Sequence, residues 1–198
     1  MKMLRFVSLC SLLIATAALI PSLSNATTFI YTAALGPEVV GATGSGLVQI
    51  DWDDAAHTMR VQSTFSGLSG FTTQAHIHAP TLTPGTGTAG VATQLPSFTL
   101  FPLAVQAGSF DQTLDLTLLT TYNPQYVTDN GGTAAGAEAS LKLALDEVRA
   151  YFNIHPTTFS SGEIRGFPVL VPEPGTGALV GLGIAGIGLA ARRRGRER

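Results

Sequence analysis

The chain has 198 residues, which suffices for one domain with its own hydrophobic core and short terminal segments. Only 12% of the residues are charged, whereas 22 glycines and 11 prolines interrupt the sequence, so a helical bundle, a coiled coil and a large α/β enzyme are not expected. Residues 27–170 hold four basic and eleven acidic residues. Because binding to a phosphate backbone needs clustered Lys and Arg, we expect no nucleic-acid partner.

The first 26 residues are typical of a signal peptide. A basic start is followed by an apolar run over residues 6–20 and then by a polar segment that ends in small residues. This pattern predicts export, with cleavage by signal peptidase between Ala26 and Thr27; an uncleaved anchor helix is the alternative. The single cysteine, Cys10, lies in the apolar run, so residues 27–170 contain neither a disulfide nor a thiolate site.

Short β-prone runs alternate with turn residues in the middle of the chain, which is typical of an antiparallel β-sandwich or barrel. Strands are predicted, in chain order, at residues 28–34, 46–52, 58–65, 73–78, 91–95, 98–105, 108–117, 149–155 and 163–169. Residues 133–147 differ, because apolar residues recur there at helical spacing. We therefore expect one amphipathic helix over an open end of the sandwich.

The end of the chain has three parts in a fixed order. Pro172, Glu173 and Pro174 favour an extended segment, and an apolar, glycine-rich stretch follows at residues 176–191. As a helix this stretch spans about 24 Å, less than the roughly 30 Å of a hydrocarbon core, which suits temporary anchoring. The chain then closes on a basic tail that favours the cytoplasmic side of the membrane. The tail arginines are Arg192, Arg193, Arg194, Arg196 and Arg198.

This arrangement, over residues 171–198, resembles the PEP-CTERM sorting signal of Gram-negative bacteria. The resemblance implies recognition by an exosortase, with the C-terminal helix holding the protein in the inner membrane before processing. It further implies that the helix is removed and that the domain passes to the cell surface or extracellular matrix. A plain C-terminal membrane anchor is the alternative.

Four segments of the middle region resemble the CHRD domain, a family named for repeats in chordin. They are residues 65–70, the His-x-His segment 75–80, residues 151–155 and the Gly-Glu-Ile-Arg-Gly segment 162–166. The resemblance covers most of residues 27–170. It implies an immunoglobulin-like antiparallel β architecture and brings no established enzymatic activity.

Three histidines are the candidate metal ligands. His76 and His78 are two residues apart on a predicted strand, so their side chains project from one face with Cα atoms about 6.6 Å apart. That spacing allows two imidazoles to bind one copper or zinc ion, and His155 at a strand end is the candidate third ligand. The alternative is a structural role, in which the histidines hydrogen-bond loop carbonyls.

Glu163 and Arg165 lie two residues apart on the last predicted strand. Shared orientation on one face predicts a structural ion pair between them, and anchoring of a ligand is the alternative. Neither a Gly-x-Ser-x-Gly elbow nor a phosphate-binding Gly-x-x-x-x-Gly-Lys-Ser/Thr motif occurs in the sequence, so we predict a protein that is not an enzyme.

Together these patterns predict an exported, exosortase-sorted, non-catalytic protein of the cell surface or extracellular matrix. Adhesion, exopolysaccharide association and biofilm formation are the expected roles, and no cofactor is required for them. The alternative is an exported metal-binding protein with copper or zinc at the His-x-His site, with redox activity as a further option.

Overall fold

The computed structural model describes residues 28–172. The predicted signal peptide, its Ala26–Thr27 cleavage site, the basic tail and the sorting motif beyond Pro172 lie outside the described residues. Pro172 itself is exposed at the end of the described chain. None of the helices between residues 28 and 172 is long and apolar enough to cross a membrane.

The described chain folds mainly as antiparallel β structure. Its elements are β1 (Thr28–Pro37), β2 (Ser45–Asp53), β3 (Thr58–Ser66), β4 (Thr72–His78), β5 (Gly108–Asp115), a 3₁₀ turn (Leu119–Thr121), α1 (Pro124–Asp129), α2 (Ala134–Asp146), β6 (Tyr151–Pro156), β7 (Ile164–Gly166) and β8 (Val169–Leu170). The strand order is β4-β6-β7-β1-β2-β3-β5, and β8 pairs with β1. This architecture confirms the mainly β class expected from the sequence.

Strand β1 joins the two halves of the sheet. From Thr28 to Leu35 it pairs with β2, whereas its last two residues, Gly36 and Pro37, pair with β7. Because β1 also pairs with β8, this one strand belongs to three ladders, and the sheet curls into a half-barrel around the hydrophobic core.

The core is lined by alternate residues of β2, β3 and β5. In β2, Val48, Ile50 and Trp52 are buried, while the residues between them are half-buried and face outward. This period-2 pattern directs one set of side chains inward, and each fully buried apolar side chain contributes about 1.5–3 kcal/mol. The alternation of apolar and polar residues therefore determines which face of these strands points into the core of the half-barrel.

The predicted amphipathic helix is confirmed as α2. The Thr133 side chain caps it by accepting a hydrogen bond from the Gly136 backbone N–H at 3.1 Å. Its buried residues, Ala137, Leu141, Ala144 and Leu145, pack into the core. The Lys142 ammonium lies 4.0 Å from the ring centre of Phe29 in β1. The helix thereby covers the end of the sheet where β1 begins.

Helix α1 was not expected from the sequence. It has only six residues, too few for a hydrophobic period to be visible. The local signal for it is Asn123 followed by Pro124: the Asn123 side chain accepts from the Gln125 backbone N–H, and proline occupies the first turn.

The strands predicted at residues 91–95 and 98–105 are wrong. This segment is irregular and forms isolated bridges at Val91 and Thr93. Leu100 and Ala104 have positive φ values of 65° and 59°, which a strand does not allow. The apolar residues that suggested strands still enter the core, because Phe98 and Phe101 are buried. They do so from loop backbone.

Glu163 forms a different set of contacts from the predicted one. Arg165 pairs with Glu38 at 3.4 Å, so the predicted ion pair between Glu163 and Arg165 is wrong.

Glu163 lies just before β7, is 0% exposed, and its carboxylate accepts hydrogen bonds from two other loops. The donors are the backbone N–H groups of Thr43, Gly44 and Ser69 at 2.9–3.3 Å, together with the Ser69 hydroxyl at 2.9 Å. One carboxylate therefore ties the β1–β2, β3–β4 and β6–β7 connections together.

We expect Glu163→Ala to lower the free energy of unfolding by about 3 kcal/mol or more. Each backbone N–H left without an acceptor in the interior costs about 1–3 kcal/mol, and three of them lose the same partner. Urea unfolding of the full-length chain measures the change. The matched control is Glu147→Ala, because Glu147 pairs with Arg149 at the surface, where an ion pair contributes about 0–1 kcal/mol. Equal unfolding midpoints for the two variants would contradict the assigned role.

Candidate metal centre

The candidate ligands lie on two neighbouring strands. His76 and His78 are in β4, and His155 is in β6, which pairs with β4 in antiparallel register. His76 is opposite Asn153, and His155 is opposite Gln74, so the three imidazoles share one face of the pair. The opposite face of both strands belongs to the hydrophobic core.

Chain segments outside the strands cover this histidine face. The irregular segment after β4 hydrogen-bonds to the free edge of the strand: the Ile77 N–H donates to the Thr93 hydroxyl at 3.0 Å and the Phe98 N–H donates to the Ala75 carbonyl at 3.2 Å. His76 is consequently 1% exposed, His78 8% and His155 7%. Three imidazoles are rarely buried together on one face of a β-sheet. Each of their ring nitrogens therefore needs a hydrogen-bond partner or another reason to be buried.

The three histidines form a compact cluster. The ring centres of His76 and His155 are 5.3 Å apart, and His78 lies 5.7 Å from each of them. One ring nitrogen from each residue lies within 4.8 Å of the other two. The structure thus brings together all three candidate ligands that the sequence analysis proposed.

Each imidazole uses one nitrogen to hold a backbone carbonyl. His76 Nε2 donates to Pro96 at 2.7 Å, His78 Nδ1 to Ala89 at 3.0 Å, and His155 Nδ1 to Ser160 at 2.9 Å. A carbonyl oxygen can only accept, so these nitrogens carry the protons and the tautomers are determined. The hydrogen bonds to loop carbonyls that the sequence analysis considered as an alternative are therefore present, but they involve only one of the two nitrogens of each ring.

The other nitrogen of each ring has no partner within residues 28–172. These buried atoms are His76 Nδ1, His78 Nε2 and His155 Nε2. In a neutral imidazole, the nitrogen opposite the N–H is a lone-pair acceptor, which is the form that binds a metal ion. Hydrogen bonding of the remote nitrogen to a carbonyl is the arrangement that orients metal-bound histidines in proteins.

Burial keeps the cluster neutral. Desolvation lowers the pKa of His76 and of His78 to about 4, and it lowers the pKa of His155 as well. The hydrogen bonds to the carbonyls act in the opposite direction but are the smaller effect. At neutral pH all three rings therefore present a lone pair.

Residues that the sequence analysis did not connect with the histidines surround the cluster. The Tyr151 ring stacks on His78 with centres 4.8 Å apart and planes 4° from parallel, and the Arg165 guanidinium lies 5.1 Å from the Tyr151 ring centre.

The Asn153 amide N–H₂ donates to Glu38, and its Oδ1 is buried without a partner in the described structure. Strand alternation could have indicated Tyr151 and Asn153, since both share the face of His155. Glu38 and Arg165 could not be assigned without the pairing of β1 with β7.

The fold and the cluster define an antiparallel β domain with three buried histidines on two paired strands. A family model described as the CHRD domain matches residues 28–167, so the chain belongs to the CHRD domain family. Neither the curated proteins nor the solved structures include a significant match to the chain.

A second family model, the PEP-CTERM protein-sorting motif, matches residues 170–194. The match begins at Leu170, the second residue of β8, which is the last strand of the described residues. Its presence makes the chain an exported protein that exosortase processes at the membrane, after transient anchoring, on the way to the cell surface.

We expect the metal-free protein to lose stability as the pH falls from about 6.5 towards about 4. In this window the histidines of the unfolded chain, with pKa values near 6.5, take up protons that the buried rings do not. Because the unfolded state then binds more protons, the free energy of unfolding decreases with falling pH. Urea unfolding in the presence of a chelator, at several pH values, measures this slope.

His78→Gln is expected to flatten that slope, because it removes one group that is protonated only after unfolding. The control is His57→Gln: His57 lies outside the cluster, and its pKa is raised by a hydrogen bond to Glu138. A slope that is the same in wild type and His78→Gln would show that the cluster histidines are not held neutral by the fold.

Proposed function

We propose that the protein is a non-catalytic component of the cell surface that binds a copper or zinc ion between His76, His78 and His155. The observation that carries the proposal is the set of three buried ring nitrogens without hydrogen-bond partners in the described structure. Each such acceptor costs about 1–3 kcal/mol when it is left unpaired, and a single cation would satisfy all three. Imidazole is a preferred ligand of both metals.

The spacing of the nitrogens supports this assignment. Bonds from zinc to histidine nitrogen are about 2.0–2.1 Å long, which places three ligand atoms about 3.5 Å from one another. In this cluster one ring nitrogen from each histidine lies within 4.8 Å of the other two. Each has to move inward by less than about 1 Å, which small side-chain rotations can provide.

Burial favours a structural or storage role over catalysis. A catalytic metal needs an open coordination position that a substrate can reach, whereas the three histidines are at most 8% exposed. An exported domain with no disulfide also gains from another cross-link, and a metal would join β4 directly to β6.

We expect one equivalent of Zn²⁺ or Cu⁺ to raise the melting temperature of the full-length, untagged chain in detergent. A ligand that binds the native state at a hundredfold excess over its Kd contributes about 2.7 kcal/mol of stability. His78→Ala should abolish both stoichiometric binding and the thermal shift, whereas His57→Ala, which changes the histidine outside the cluster, should preserve them. A wild-type chain whose melting temperature does not respond to either metal at neutral pH refutes the proposal.

A groove on the outer face of the sheet favours exopolysaccharide association as a second candidate function. It has a volume of about 770 Å³ and crosses β1, β2, β3 and β5. Amide and hydroxyl side chains line it together with the exposed Leu47, among them Gln49, Gln62 and Thr64. Amides bond sugar hydroxyls, and apolar side chains contact the C–H faces of sugar rings. Association with matrix polymers would serve adhesion and biofilm formation at the surface to which the sorting motif directs the protein.

We expect the full-length chain to co-sediment with exopolysaccharide from the producing strain. The double variant Gln49→Ala/Gln62→Ala should lose at least about fivefold in apparent affinity, because two hydrogen-bonding side chains each contribute about 0.5–1.5 kcal/mol. Gln125→Ala, on the exposed surface of α1 and outside the groove, is the control. If the double variant binds as tightly as Gln125→Ala, the groove is not the polysaccharide site.

A further inference from the structure

The donor set of the histidine cluster is electrically neutral. Its three imidazoles are uncharged, and the other unpartnered acceptor on this face, Asn153 Oδ1, is an amide oxygen. Two carboxylates in the neighbouring segments are engaged elsewhere: the half-buried Glu38 pairs with Arg165 and accepts from Asn153, and the buried Glu163 accepts from three backbone N–H groups. None of the described ligands would therefore neutralise the charge of a bound cation.

The free-energy cost of burying a cation rises with the square of its charge. The Born cost of transferring an ion from water into a low-dielectric interior is about four times larger for a divalent than for a monovalent ion of similar radius. Since the cluster histidines are nearly inaccessible to solvent, water screens this cost poorly. At this neutral site a monovalent ion therefore pays a smaller desolvation cost than a divalent ion. In a carboxylate-rich site, the negative ligands would offset that difference.

Arg165 adds to this advantage. Its guanidinium stacks on Tyr151, which in turn stacks on His78, so one aromatic ring separates this positive charge from the cluster. The guanidinium is half-buried at this position, so water only partly screens its charge from the cluster. Repulsion from this charge acts on any bound cation and is twice as large for a divalent ion.

The number of ligands also favours monovalent copper over zinc. Zinc in proteins is almost always four-coordinate, and with three protein ligands it takes a water molecule as the fourth. Monovalent copper is stable with three ligands. At a closed site lined by three imidazoles, zinc must carry a water molecule into the covered space between β4, β6 and their covering loops, whereas monovalent copper need not.

We infer that the tri-histidine cluster is a Cu(I) site that discriminates against Zn(II). This inference rests on the proposed metal-binding function and names the ion. It assigns His76, His78 and His155 as the three ligands and Arg165 as a residue that determines selectivity through its charge without touching the metal.

Competition titrations of the metal-free, full-length chain under anaerobic conditions test the inference at pH 7.5. A chromogenic Cu(I) chelator reports the dissociation constant for Cu(I), and a zinc indicator reports that for Zn(II). We expect one equivalent of each ion to bind and the Cu(I) constant to be at least a hundredfold smaller. A Zn(II) constant equal to or smaller than that of Cu(I) overturns the inference but leaves the proposed function standing. Absence of binding of both ions overturns both.

Two charge variants test the assigned role of Arg165. Arg165→Gln removes the positive charge and should narrow the affinity ratio of Cu(I) to Zn(II) at least threefold. Glu38→Gln leaves the Arg165 charge without its partner and should widen the ratio, so the test stands even if one variant does not fold. Arg60→Gln is the matched control, because Arg60 pairs with Asp111 on the exposed outer face. An unchanged ratio in whichever of the Arg165 and Glu38 variants folds refutes the role of Arg165.

Discussion

Strands β4 and β6 are buried on both faces, and the rest of the structure depends on this constraint. Ala75 and Phe152 face the hydrophobic core, but the opposite face carries imidazole and amide side chains that need hydrogen-bond partners. A regular strand placed over this face would direct its carbonyls sideways into a ladder, not down onto the rings. The covering segments are irregular, and they bring the carbonyls of Pro96, Ala89 and Ser160 onto the three histidines.

Between residues 28 and 172, two buried polar clusters have their hydrogen-bonding groups satisfied in different ways. The Glu163 carboxylate is surrounded by donors from the chain itself, and its hydrogen bonds hold three loops together. The histidine cluster is only half satisfied, because each ring keeps one free acceptor. Buried polar atoms are nearly always paired in proteins, and these free acceptors concentrated in one place are therefore the basis of the proposed metal site. The Gly-Glu-Ile-Arg-Gly segment serves both clusters, with Glu163 in the first and Arg165 beside the second.

Sequence patterns predicted the regular parts of this fold well and the irregular parts poorly. Strand β3 and helix α2 were predicted within a residue or two, because alternation and helical spacing are properties of neighbouring residues. The segment containing Phe98 and Phe101 was wrongly predicted as strand, since apolar side chains that enter a core from a loop resemble those of a strand. The ion pair predicted for Glu163 failed for a related reason: orientation on one face does not determine which partner is nearer.

The sequence by itself determined the mainly β class, the order of the terminal sorting segments and the placement of His76 and His78 on one strand face. The tertiary structure decided the rest of the site: that His155 joins them, that the rings are buried and neutral, and that Arg165 lies behind Tyr151. The physical reason is that the direction of a side chain within a strand follows from local backbone geometry. Which strands become neighbours, and in what register, depends on contacts between residues far apart in the chain.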